Sequence, residues 1–128
     1  MVAKKTSNSK KVYKIGIVDD QIQIPVSLSE LLEHYGFKTF HCFNGKDAIK
    51  MSKEEKPDLL LLDIVMPEIG GFDVAKALPN QKVIFMTGYE VDEKKVKSFK
   101  NCVGFLKKPV TIDDLLNTIK KVLKITSL

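Results

Sequence analysis

The chain has 128 residues, 44% of them hydrophobic and 29% charged, and its net charge of +5 comes from 21 lysines with no arginine. That length suits one domain able to bury roughly two-thirds of its unfolded surface. No apolar run approaches the roughly 20 residues needed to span a bilayer, so membrane insertion is not expected. Base-specific nucleic-acid recognition leans on the planar guanidinium of arginine, so direct nucleic-acid binding is not expected either. Most of the lysines read as solvated surface.

Residues 1–11, MVAKKTSNSKK, read as a flexible basic extension. They lack the apolar core of a secretory signal, so the expected location is cytoplasmic. A folded domain is placed over 12–124, with 125–128 as a tail. Val12–Val18 reads as a first strand ending in Asp19 and Asp20. Ile24, Leu28, Leu31, Leu32 and Tyr35 then recur at helical spacing, with Gly36 as the stop and Pro25 tolerable only in the first turn. Phe37–Phe43 is a second strand closed by Asn44-Gly45, and Ala48, Ile49 and Ser52 mark the inward side of a second helix ending before Pro57. Cys42 and Cys102 form no CxxC pair and read as two buried, reduced thiols.

The third strand is the centre of the pattern. Leu59 to Leu62 give no alternation, the mark of a strand buried on both faces in a parallel sheet, and the run ends in the carboxylate of Asp63. Pro67 and Gly70-Gly71 make a loop before a short third helix, Phe72–Leu78, cut off by Pro79. Lys82–Met86 is the fourth strand, ending at Thr87-Gly88. Val96 and Phe99 anchor a fourth helix with a lysine-rich outer face, and Val103–Leu106 is the fifth strand, ending at Lys107-Lys108-Pro109. In the last helix Thr111 is placed as the cap with Asp114 three residues on, and Ile112, Leu115, Leu116, Ile119, Val122 and Leu123 form one apolar stripe. Five strand–helix units with short, right-handed connections predict an α/β three-layer (βα)5 sandwich.

In a flavodoxin-like parallel order 2-1-3-4-5, the first and third strands are neighbours at the topological switch point. Strands lie about 4.8 Å apart, so Asp19, Asp20 and Asp63 must share one small pocket. Two such charges about 4 Å apart repel by roughly 4 kcal/mol at an effective dielectric of 20, which calls for a compensating cation. Carboxylates with a backbone carbonyl and waters suit Mg2+ (or Mn2+), and Lys108 supplies a second positive charge. Together they are suited to hold the oxygens of a phosphoryl group. Lys107, one residue earlier, alternates to the opposite face and reads as a surface charge.

From about Val12 to Leu123 the chain resembles the receiver domains of two-component response regulators, the CheY-like family. The resemblance rests on the acidic pair Asp19-Asp20, on Asp63 followed by Met66-Pro67, on Thr87 and on Lys108-Pro109. It implies that Asp63 is the phosphoacceptor, taking a phosphoryl group from a phosphohistidine. It further implies that Asp20 and Asp63 bind the metal with the carbonyl of Val65, while Asp19 acts through water. Thr87 and Lys108 bind the phosphoryl oxygens, Phe105 is the switch aromatic that follows Thr87, and the bond before Pro109 is cis. The implied partners are a sensor histidine kinase or histidine phosphotransfer protein, and a downstream target on the face of the fourth helix, fifth strand and fifth helix. The domain would be a monomer or a phosphorylation-dependent dimer, and not a turnover enzyme for a separate substrate. It would stand alone or form part of a longer regulator.

Two departures stand out. Gly70 replaces an aspartate common in the family, and Thr87 follows Asp63 by only 24 positions, which shortens the third helix region. Val65 and Tyr89, each two residues beyond a pocket residue, predict that water reaches the acyl phosphate slowly. A haloacid-dehalogenase-type phosphatase would need a second aspartate where Val65 stands. A nucleotide-binding domain would need a glycine-rich loop where Asp19-Asp20-Gln21 stands. The remaining alternative is a receiver-fold interaction module that is never phosphorylated.

Overall fold

The structure, a computed structural model, describes residues 11–126. The expected extension therefore lies outside the described residues except for Lys11, as do the last two residues of the expected tail. The elements alternate as β1 (Lys14–Val18), α1 (Gln23–His34), β2 (Lys38–Cys42), α2 (Gly45–Glu55), β3 (Leu59–Asp63), α3 (Gly71–Ala77), β4 (Val83–Thr87), α4 (Glu93–Lys97), β5 (Cys102–Lys107) and α5 (Ile112–Leu123). The strands form one sheet in the order β2-β1-β3-β4-β5, every neighbouring pair parallel. This is the expected flavodoxin-like sandwich.

The run of leucines in β3 has a simple cause. Leu60 and Leu62 pack on the side of α2, α3 and α4 with Phe85, Val74 and Val96. Leu59 and Leu61 pack on the opposite side with Leu32, Leu115 and Ile119 of α1 and α5. All four are fully buried. At about 1.5–3 kcal/mol per buried leucine, this strand anchors the sheet together with β4, which is buried at every position as well.

The helices follow their local signals with some shifts. Pro25 falls in the first turn of α1, where its missing N–H costs no hydrogen bond. The most buried line of that helix is Pro25, Ser29 and Leu32, while Tyr35 is the exposed C-cap rather than a packing residue. Asn44 caps α2, accepting from the Asp47 N–H at 2.8 Å. Thr111 caps α5 through the Asp114 N–H at 3.1 Å. On the α5 stripe Leu115, Ile119 and Leu123 are buried and the rest half-buried.

The fourth helix is shorter than its sequence pattern suggests. It spans five residues, so Phe99 lies beyond its end. Packing explains this: the Phe99 ring stacks on Phe72 at 5.2 Å and meets Phe85 edge-on at 5.5 Å, which holds the chain where the helix stops. Of the two thiols, Cys42 is buried and Cys102 only half-buried, and neither forms a disulfide. Burial pushes the Cys42 thiol up to about 12, which leaves it protonated and unreactive. Among the described residues no helix is long and apolar enough to cross a membrane.

Candidate functional site

Parallel register brings the chemistry-bearing residues to one rim of the sheet. Val18 pairs with Leu62, Asp63 with Met86 and Thr87 with Lys107. The residues that end or follow these strands, Asp19, Asp63, Thr87 and Lys108, therefore emerge together at the carboxyl edge, where open α/β sheets bind ligands.

Asp19 is fully buried and Asp63 is 3% exposed, whereas Asp20 faces solvent. One carboxylate oxygen from each of the three lies within 4.8 Å of the others. The Lys108 ammonium sits 2.5 Å from Asp19 and 3.3 Å from Asp63. The other Asp19 oxygen accepts the Gln21 N–H at 2.9 Å. Burial, then the neighbouring Asp19 charge, pushes the Asp63 carboxyl up to about 6, against the pull of Lys108. Burial also works against the Lys108 charge, but its contacts with Asp19 and Asp63 outweigh that and hold its affinity for protons above the usual lysine value.

One ammonium against three carboxylates leaves about two uncompensated negative charges. The donors are all hard oxygens at mutual distances a single ion bridges, so the residues fit a divalent Mg2+ or Mn2+. Val65 is 44% exposed and lines the same cavity, about 640 Å³, with Asp20, Asp63, Tyr89 and Lys108.

The other residues singled out in the sequence fall nearby. Thr87 is fully buried and its hydroxyl oxygen accepts the Tyr89 N–H at 3.1 Å, while its carbonyl accepts the Lys108 N–H at 2.8 Å. Phe105 is half-buried, pairs in register with Phe85 and packs against the core on the α4 side. The Lys108–Pro109 peptide is cis. Lys107 points away from the rim, 3.6 Å from Glu90 at the surface.

Two contributors were not read from the sequence. Gln21 fixes Asp19 through its backbone, which leaves no trace in residue type. Gly71 starts α3 so close to β3 that a Cβ there would lie 2.3 Å from the Asp63 carbonyl oxygen. The Gly70-Gly71 pair signals a loop, but only the packing shows that one of the two must be glycine. Asp73, in the first turn of α3, accepts the Gly70 N–H at 3.3 Å.

Comparison with known proteins points the same way. The family model described as response regulator receiver domain matches residues 15–120. Sporulation initiation phosphotransferase F of Bacillus subtilis is 35% identical over 119 residues, covering 89% of this chain and 96% of the relative. Protein PilH of Pseudomonas aeruginosa is 34% identical over 117 residues, covering 86% and 97%. Against the longer transcriptional regulatory protein CrdR of Helicobacter pylori, 35% identical over 115 residues, the match covers 84% of this chain and 54% of the relative. Among solved structures, the chemotaxis protein CheY4 of Vibrio cholerae superposes with a TM-score of 0.80 at 26% identity, over 88% of this chain and 99% of that one. The chain belongs to the response regulator receiver domain family.

Proposed function

We propose that this chain is the phosphoacceptor domain of a two-component or phosphorelay pathway, with Asp63 as the residue that takes the phosphoryl group. The observation that supports this reading most is the convergence of Asp19, Asp20, Asp63 and Lys108 on one cavity. Such crowding is costly for stability and useful for binding a cation and a phosphoryl group. The family is a signalling module, and receiver domains generally bind Mg2+ at an acidic pocket.

An Asp63 oxygen would attack the phosphorus of a phosphohistidine on a sensor kinase or histidine phosphotransfer protein. An O–P bond forms, the N–P bond breaks, and the released imidazole nitrogen takes a proton from solvent. With its carboxyl at about 6, Asp63 is mostly ionised at neutral pH and so can act as the nucleophile. Lys108 already touches Asp63 and would pair with the transferred oxygens. Thr87 uses its oxygen as an acceptor from Tyr89, which leaves its hydroxyl hydrogen free to donate to the phosphoryl group. Asp20, Asp63 and the Val65 carbonyl would hold Mg2+ or Mn2+, with Asp19 acting through water. The ion supplies positive charge opposite the phosphoryl oxygens.

Movement of Thr87 toward that group would draw Phe105 inward and alter the face of α4, β5 and α5, where a downstream protein or a second phosphorylated copy binds. Val65 and Tyr89 line the cavity, and an apolar side chain with an aromatic there would hinder water at the acyl phosphate and lengthen its life. The names of the relatives, a sporulation phosphotransferase and a chemotaxis protein, fit a phosphorelay role.

The test is incubation with acetyl phosphate and Mg2+, followed by intact mass. The expected result is one added phosphoryl group, lost on chelation of the metal and absent in Asp63→Asn. An unmodified wild-type chain, or an equal gain in the variant, would leave only an interaction module with a receiver fold.

A further inference from the structure

The opposite end of the sheet carries a second electrostatic feature that phosphotransfer does not use. Two adjoining grooves, about 320 and 450 Å³, share the wall formed by Pro57, Asn80 and Gln81. Lys53 and Lys56 line the first, and Lys11, Lys82 and Lys124 line the second. Among the described residues Asp58 is the one acidic residue in either lining, and it is already held by Lys11 at 3.0 Å. The bland account is that these lysines offset helix ends, since Lys56 and Lys124 are the C-caps of α2 and α5. Magnitudes argue against that account as sufficient. Three helix C-termini, those of α2, α3 and α5, contribute about −0.5 each. Five lysines against those ends and one aspartate leave an excess of about two to three positive charges. Lys53, Lys56, Lys82 and Lys124 make no ion pair among the described residues.

We infer that this double groove is a docking site for an extended acidic peptide segment of a partner protein. Two adjoining recesses in a row suit an elongated ligand. Lysine ammonium groups offer point charges without the planar fork used in base readout. The shared wall offers main-chain partners as well. The Asn80 amide makes no side-chain hydrogen bond among the described residues. The Gln81 amide nitrogen donates to the Pro57 and Lys82 carbonyls, and its oxygen accepts no hydrogen bond among the described residues. A peptide docked here would leave the Asp63 rim, at the other end of the strands, open to a phosphodonor.

The experiment is fluorescence anisotropy of the full chain with a labelled peptide of alternating glutamate and serine, at low and raised salt. Saturable binding is expected, weakened by salt. Lys53→Gln with Lys82→Gln, both exposed positions, is expected to weaken it about tenfold. Lys94→Gln with Lys97→Gln on α4 is expected to leave it unchanged. Phosphorylation by acetyl phosphate is expected to be intact in the groove variant, which separates this inference from the fate of the Asp63 reading. No saturable binding, or equal weakening by the α4 pair, would overturn the inference. So would tighter binding, lost in the same groove variant, to anionic vesicles of phosphatidylglycerol or to duplex DNA.

Discussion

Asp58 and Asp63 stand at the two ends of one strand, and their surroundings drive them in opposite directions. At the N-terminal end, the Asp58 carboxylate accepts the Lys14 N–H at 2.9 Å and pairs with Lys11 at 3.0 Å. Burial there works against the charge, but these partners outweigh it and hold Asp58 below the usual carboxylate range. At the C-terminal end, burial and Asp19 raise Asp63 to about 6 although Lys108 lies 3.3 Å away. The same side chain is thus a stabilising group at one end and a destabilising one at the other. The difference is local: the Asp58 charge is satisfied by its neighbours, whereas the Asp63 charge, at the proposed phosphoacceptor, is not.

The largest expected effect comes from removing the one cation at the crowded rim. Lys108→Ala leaves Asp19 and Asp63 buried without a counter-charge, and breaking such a pair costs about 3–5 kcal/mol. Partial exposure of Lys108 brings the expected loss to about 2–4 kcal/mol in urea unfolding with a metal chelator present. Added Mg2+ is expected to restore much of it, and to stabilise the variant more than the parent. A loss below about 1 kcal/mol would mean that Lys108 does not compensate the carboxylates.

Asp63→Asn has the opposite sign. The folded state binds the Asp63 proton more tightly than the unfolded chain does, so the metal-free domain loses stability as pH rises from about 4 through about 6. A difference of about two pKa units corresponds to roughly 3 kcal/mol, so the neutral variant is expected to gain about 1–3 kcal/mol at pH 7.5 without metal. Its stability should also be nearly flat across that window. Unfolding curves at several pH values check both points. A parent curve that rises between pH 4 and 6 would show that other groups dominate.

How far these two ends could be read in advance depends on the kind of signal. The apolar run Leu59–Leu62 and the polar residues ending each strand depend on sheet periodicity, which residue type records directly, so the sandwich and its rim were visible in the sequence. The compensation of Asp58 was not, because part of it comes from the Lys14 backbone, which every residue but proline carries. Tertiary packing hid the rest. Phe99 fits a helical period but is drawn into an aromatic cluster, and Gly71 is demanded by a contact with the strand before it.

Asp58→Asn tests the quieter end. Asparagine keeps an acceptor for the Lys14 N–H but loses the Lys11 ion pair, so a loss of about 0.5–1 kcal/mol is expected at pH 7. Because the Asp58 carboxyl is held low, its contribution is present above about pH 4 and disappears as pH falls through its folded value. Parent and variant should therefore converge in acid, as at Asp63, but the gap that opens as pH rises has the opposite sign. A constant gap down to low pH would assign the loss to packing instead.

The smallest effect probes the claim that the N-terminal end is the satisfied one. Ser52 lies on the inner side of α2 and is 4% exposed, and its hydroxyl is the one buried side-chain polar atom without a partner among the described residues. An unpaired buried hydroxyl forfeits its bonds with water, about 1–3 kcal/mol, while its removal leaves a space of only one oxygen. Alanine also has the better helix propensity, by a few tenths of a kcal/mol. Ser52→Ala is therefore expected to be neutral or to stabilise by about 0.5–1 kcal/mol in the same unfolding assay. A loss of similar size would show that the hydroxyl has a partner, such as bound water. The end of the sheet near Ser52 would then be satisfied at this position too, which widens its contrast with the Asp63 rim.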